Sequence, residues 1–109
     1  MSDLCLIESS NWQEFLNKKI CYVMFSKSDC EQCEFLEKKL QSLDFNLEFP
    51  CCKLNLDKPG FADLKQTYSW ISSIDVLPFS AIFSEGELVD SWSGSNIDIL
   101  QSKLSAISV

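Results

Sequence analysis

The chain has no histidine and no arginine: its nine basic residues are all lysine, and sixteen acids give it a net charge of −7. Without histidine there is no Ser–His–Asp triad, no Cys–His nucleophilic pair and no imidazole metal site. The negative balance repels a nucleic-acid backbone or an anionic membrane surface, which leaves proteins as the expected partners. No apolar stretch is long enough to span a bilayer, and the segment Met1 to Glu8 has no basic start and meets an acid before a signal-length apolar run forms. The sequence reads as cytoplasmic. Repeats, low-complexity tracts and flexible linkers are also missing, so residues 1–109, 46% apolar, are expected to form one domain around one core.

Cysteine is abundant, with six in the chain. Cys5, Cys21, Cys51 and Cys52 fall inside apolar, strand-like runs, where cysteine behaves as a small buried hydrophobe. Cys30-Glu31-Gln32-Cys33 is different. An apolar run from Ile20 to Phe25 precedes it, Ser26 to Asp29 form a polar turn, and Leu36, Leu40 and Leu43 recur after it at helical period. Ser28 with Glu31, and Asp29 with Gln32, have capping-box spacing, so the pair is expected to open a helix that runs to about Leu43. Cysteines at i and i+3 in a first helical turn have Cβ atoms about 5–6 Å apart, close enough for a disulfide after small adjustment.

That placement assigns roles. A thiol attacks as thiolate, and a helix N-terminus offers about half a positive charge and free N–H groups to hold it. Cys30 lies at the mouth of the helix and is the expected nucleophile. Cys33, one turn in and covered, is the expected resolving sulfur. Half of a zinc site is the competing reading, but zinc takes four ligands, and Cys51 and Cys52, adjacent on a strand, point to opposite faces.

The rest of the chain supplies a frame. Leu4–Ile7 reads as a short strand, and Ser9-Ser10-Asn11 as the cap of a helix carrying Trp12, Phe15 and Leu16. Cys51 to Asp57 reads as a strand ended by Lys58-Pro59-Gly60, and Phe61, Leu64 and Tyr68 repeat at helical spacing. Ser69 to Asp75 has no clean period. Phe79–Phe83 and Glu87–Trp92, joined at Glu85-Gly86, read as an antiparallel hairpin. Ser93 to Asn96 cap a last helix with Ile97, Leu100, Leu104 and Ile107 facing inward. The order is βαβαβ followed by ββα.

At this point the chain resembles the thioredoxin family, from about Asn11 to Leu104. The resemblance is carried by Phe25 before Cys30-Glu31-Gln32-Cys33, by Lys53-Leu54-Asn55-Leu56-Asp57, by Pro78 at the head of a hairpin containing Gly86, and by Gly94 before the last helix. It implies an α/β thioredoxin fold, with a central mixed sheet of βαβαβ plus ββα flanked by helices on both faces. It also implies that Pro78 is cis beside the cysteines, and that Leu77, Pro78 and Gly94 form the substrate-binding edge, with Glu31, Gln32 and Lys53 in support. The implied activity is reversible thiol–disulfide exchange on protein disulfides with no bound cofactor. The implied partners are disulfide-containing clients and a thioredoxin-reductase-like donor, met by a monomer.

Family members carry Gly-Pro between the cysteines, a Trp before them and a buried Asp on the preceding strand. This chain has Glu31-Gln32, Asp29 and Met24. Cys33 then needs water, Glu31 or another route for its proton, and Lys53 loses its usual partner. These departures support a second reading, a thioredoxin-fold binding module or complex subunit in which redox activity is secondary.

Overall fold

A computed structural model of the chain describes residues 4–42 and 49–107. Its elements are β1 (Cys5–Leu6), α1 (Trp12–Leu16), β2 (Cys21–Ser26), α2 (Glu31–Ser42), β3 (Cys51–Asn55), α3 (Ala62–Thr67), a 3-10 turn (Ser69–Ser73), β4 (Phe79–Ser84), β5 (Glu87–Ser93) and α4 (Ile97–Ile107). The five strands form one sheet in the order β1-β3-β2-β4-β5. β1, β3 and β2 are mutually parallel, while β4 and β5 run antiparallel to their neighbours. The crossover through α2 returns the chain beside β2, and the short Glu85-Gly86 loop reverses it into β5.

The central strand explains the layers. Every residue of β2 is buried, because successive side chains point to opposite faces and both faces are covered. Cys21, Val23 and Phe25 pack with Cys52, Leu54, Ala81 and Phe83 against Trp12 and Leu16 of α1, Leu64 of α3 and Ile71. Tyr22 and Met24 pack with Ile82 against Leu36 and Leu40 of α2 and Leu100 and Leu104 of α4. Helices therefore cover both faces, as the resemblance implied. Trp12 is buried in its core, and Trp70 packs around Phe25, Phe79 and Phe83.

Several local expectations change. Asn11 stands at the N-cap of α1, but its Oδ1 accepts from the Glu8 amide at 2.7 Å and makes no cap bond to the helix. Asn96 does cap α4, accepting from the Ile99 amide at 3.2 Å. β3 stops at Asn55 instead of Asp57, since Asn55 Oδ1 accepts from the Asp57 amide and turns the chain. The aperiodic segment Ser69–Ser73 is a 3-10 turn, whose threefold repeat leaves no 3.6-residue stripe to read. Leu43 and the start of the chain at Met1 to Asp3 lie outside the described residues, as does the side chain of Ile107.

The hairpin turn forms as its sequence implies. Glu85 and Gly86 have φ of 53° and 87°, the two left-handed residues of a tight reversal. A side chain at Gly86 would meet Asn17 Oδ1 at 2.5 Å. The same loop is pinned to the end of α1 by the Glu85 and Gly86 amides, which donate to the carbonyls of Lys18 and Leu16, each at 2.8 Å.

Candidate active site

The cysteine pair sits where β2 ends. The exit from Ser26 is a turn in which Asp29 takes φ 59° and the Ser28 amide donates to Asp57 Oδ2 at 2.9 Å. Neither Ser28 nor Asp29 therefore caps α2. Cys30 does: its carbonyl accepts from the Glu34 amide at 3.1 Å, and its Sγ accepts from the Cys33 amide at 3.2 Å. The sulfur occupies the place a serine or aspartate oxygen usually fills, directly on the helix N-terminus.

Cys30 and Cys33 are joined in a disulfide with their Cα atoms 5.2 Å apart. Their surroundings differ. Cys30 is partly exposed, whereas Cys33 is 3% exposed under the helix. Cys30 lines a cavity with Lys27, Leu56, Asp57, Ile74, Asp75 and Leu77. Of the pair, its sulfur is the one an incoming thiolate can approach.

Leu77 reaches this cavity because Phe79, at the start of β4, is in register with Phe25 at the end of β2. The Leu77–Pro78 peptide bond is cis. The Pro78 carbonyl accepts from the Gly94 amide at 2.8 Å, which fixes Gly94 to the same edge. Gly94 has φ 96°, and a Cβ there would have nothing within 4 Å, so its backbone faces open space. Ser95 Oγ donates to Gln32 Oε1 at 2.9 Å and ties the start of α4 to the residue between the cysteines. Cys30, Cys33, Gln32, Leu77, Pro78 and Gly94 are thus assembled around one end of the sheet.

Glu31 is exposed on the first turn of α2. Lys53 stands apart from the cavity. It is the in-register neighbour of Met24, and its Nζ lies 2.7 Å from Glu37 Oε1 on α2. With Met24 in the place of the usual acid, Lys53 takes this carboxylate as its partner instead. Sequence reasoning missed Glu37 and Asp57. Glu37 follows Cys33 by one helical turn, a signal present in the sequence, but its link to Lys53 depends on how α2 lies over the sheet. Cys51 and Cys52 do face opposite sides, Cys51 toward the α2/α4 core and Cys52 within the α1/α3 core.

A parallel βαβ unit with a disulfide at the N-terminus of its helix, flanked by a hairpin whose first strand follows a cis-proline, defines a class of α/β domain. No protein-family model and no curated protein matches the chain. Solved structures do. Thioredoxin f2 of Chlamydomonas reinhardtii is similar with a TM-score of 0.78 at 18% identity, over 94% of this chain and 94% of that one. The thioredoxin of Malassezia sympodialis, Mala s 13, is similar with a TM-score of 0.78 at 17% identity, over 100% and 96%. A thioredoxin f2 in complex with ferredoxin:thioredoxin reductase is similar with a TM-score of 0.77 at 15% identity, over 95% and 94%. The chain has the thioredoxin fold.

Proposed function

We propose that this chain is a thiol–disulfide oxidoreductase that reduces protein disulfides through Cys30 and Cys33. The observation that carries the reading is the unequal pair: a partly exposed Cys30 capping a helix beside Leu77 and Pro78, bonded to a buried Cys33. In the reduced protein the Cys30 thiolate, held by the helix N-terminus, attacks one sulfur of a client disulfide and displaces the other as thiolate. Cys33 then attacks the Cys30 sulfur, forms the intramolecular bond and releases the second client thiolate. The client gains two electrons and two protons, and the pair loses them.

Leu77, Pro78 and Gly94 form the edge along which an extended client segment lies, with Gln32 held beside it by Ser95. Glu31 plays a supporting part through its charge on the first turn of α2, and Lys53 through its ion pair with Glu37, which ties β3 to that helix. The cycle needs a donor that reduces the Cys30–Cys33 bond. The similarity to a thioredoxin f2 whose structure was determined in complex with ferredoxin:thioredoxin reductase supports a reductase of that kind. In this reading residues 1–109 act as one monomeric cytoplasmic domain, without a bound cofactor, on clients that are proteins and neither nucleic acids nor membranes.

Reduction of insulin by dithiothreitol, followed by turbidity, tests the proposal. Wild type should accelerate it and Cys30→Ser should not. A wild-type protein with no acceleration, yet binding a protein partner through the Leu77 edge, would establish the binding-module reading instead.

A further inference from the structure

Three cysteines outside the active site lie side by side across three neighbouring strands. Cys5 on β1 is the in-register partner of Cys52 on β3, and Cys52 is in register with Val23 on β2, two residues along from Cys21. All three belong to the α1/α3 face of the sheet: Cys21 and Cys52 are in its core, and Cys5 packs against it. The Cys21 and Cys52 sulfurs are 3.9 Å apart. All three cysteines are free thiols.

Strand geometry decides which two could be joined. In-register neighbours on adjacent strands are about 4.7–4.9 Å apart, inside the Cα separation of about 4.4–6.8 Å that a disulfide accepts; on these parallel strands the Cβ atoms keep about the same spacing, just beyond the range of about 3.5–4.5 Å in a disulfide, so the edge strand closes slightly as the bond forms. Cys21 and Cys52 are diagonal neighbours on parallel strands, about 8 Å apart at Cα from the strand spacing and the rise over two residues, which a disulfide bridges only with larger backbone movement. Exposure decides where oxidation starts. Cys5 is partly exposed on an edge strand of two residues, whereas Cys21 and Cys52 are 0% exposed.

We propose that Cys5 and Cys52 are a second oxidisable pair, which a hydroperoxide converts into a disulfide that staples the edge strand β1 to β3. The Cys5 thiolate attacks the peroxide and becomes a sulfenic acid, releasing the reduced alcohol or water. The Cys52 sulfur then attacks the Cys5 sulfur; the S–O bond breaks, and the departing hydroxide takes the Cys52 proton and leaves as water. One peroxide is reduced by two electrons, and two thiols become one disulfide.

A hydrogen bond shared with Cys21, together with burial, pushes the Cys52 thiol well above the usual cysteine range, so Cys52 does not begin the reaction itself. Being held in register beside Cys5, it needs no diffusion to complete it. The staple is remote from the active site. Cys52 is in register with Val23, three residues before Ser26 closes β2, a distance of about 10 Å at about 3.3 Å per residue, and Cys30 lies beyond that end. Among the described residues, β1 is held by its two-residue ladder, by Cys5 packing on the α1/α3 core and by the Ile7 amide, which donates to the Lys53 carbonyl at 2.9 Å.

The test uses the full chain carrying Cys30→Ser and Cys33→Ser, so that no active-site bond can form and failure of the proposed function does not affect the result. After hydrogen peroxide and alkylation under denaturing conditions, the intact mass should show two alkyl groups per chain where the reduced protein takes four, with the further loss of two hydrogens, and fragmentation should place the link between Cys5 and Cys52. Labelling of both cysteines should be lost together and return on treatment with dithiothreitol. Adding Cys5→Ser should abolish the bond, and the peroxide-treated protein without that change should melt at a higher temperature than its reduced form. A Cys21–Cys52 bond, a Cys5-linked dimer, or Cys5 carried to sulfinic acid with Cys52 still free to alkylate would each overturn the proposal.

Discussion

Met24 lies in register beside Lys53 across the β2–β3 ladder, and Lys53 turns its ammonium to Glu37, 2.7 Å away on α2. The strand position that family members fill with a buried acid is apolar here, and a carboxylate reaches the lysine from the helix instead. Met24 itself is 0% exposed among Leu36, Leu40 and Leu100.

Met24→Asp should therefore be costly, by roughly 3–5 kcal/mol near neutral pH, from lost apolar burial and a poorly solvated carboxyl. Burial raises the pKa of such a group above its unfolded value, so the folded state favours its neutral form. The penalty should be smallest near pH 4 and grow as pH rises through the folded pKa. Thermal melts of mutant and wild type from pH 4 to 8 check this, together with a chase of a Cys30 mixed disulfide, which the new acid should speed near neutral pH. A gap in melting temperature that narrows toward pH 8 would mean that Lys53 leaves Glu37 and keeps the new carboxylate charged.

In the reduced protein Cys30 should be alkylated before Cys33, because Cys30 is partly exposed at the helix mouth and Cys33 is 3% exposed. Limiting iodoacetamide with mass mapping reads the order. Preferential labelling of Cys33 would exchange the two roles.

Cys33→Ser should accumulate a mixed disulfide between Cys30 and a client, since the sulfur that releases the client is gone. Cys30→Ser should accumulate none. Non-reducing gels of each variant mixed with an oxidised protein substrate report the difference, and equal trapping by both would remove the division of labour.

Two buried hydroxyls on β2 should respond oppositely to removal. Tyr22 Oη lies 2.8 Å from Ser80 Oγ, both side chains fully buried, so Tyr22→Phe leaves Ser80 without that partner and should cost about 1–3 kcal/mol. Ser26 Oγ is buried without a hydrogen-bond partner among the described residues. Ser26→Ala should be neutral, or stabilising by up to about 1 kcal/mol. Urea titrations of the two variants check the pair.

Asp90 and Lys103 form an ion pair at 2.8 Å, and Lys103 also lies over the Trp92 ring, 5.8 Å from its centroid. The hydrogen bond from Lys103 holds the Asp90 carboxyl below the usual carboxylate range. Its contribution is present above the unfolded pKa and is lost as pH falls through the lower folded value, that is, below about pH 4. Both side chains are more than a third exposed, so Asp90→Asn should cost no more than about 1 kcal/mol at pH 7. Wild type and mutant should converge in melts at pH 2, and a difference that persists there would assign the effect to packing on Trp92.

The sequence by itself determined the periodic features. A run apolar nearly throughout became the strand buried on both faces, Leu36 and Leu40 became the inner stripe of α2, and Glu85-Gly86 became the tight turn of the hairpin. Each is a local pattern, readable because side-chain direction repeats every two residues in a strand and every 3.6 in a helix. The cysteine pair was legible for the same reason, its spacing being set within one helical turn. Which partner each group meets was decided in three dimensions. Cys30 Sγ caps α2 in place of Ser28 or Asp29 because Asp29 takes a left-handed conformation and Asp57, from the turn after β3, engages the Ser28 amide. Lys53 finds Glu37, and Cys5, Cys52 and Cys21 line up, through the order and register of β1, β3 and β2. Register follows from packing both faces of the sheet at once, and no single segment of the chain contains that information.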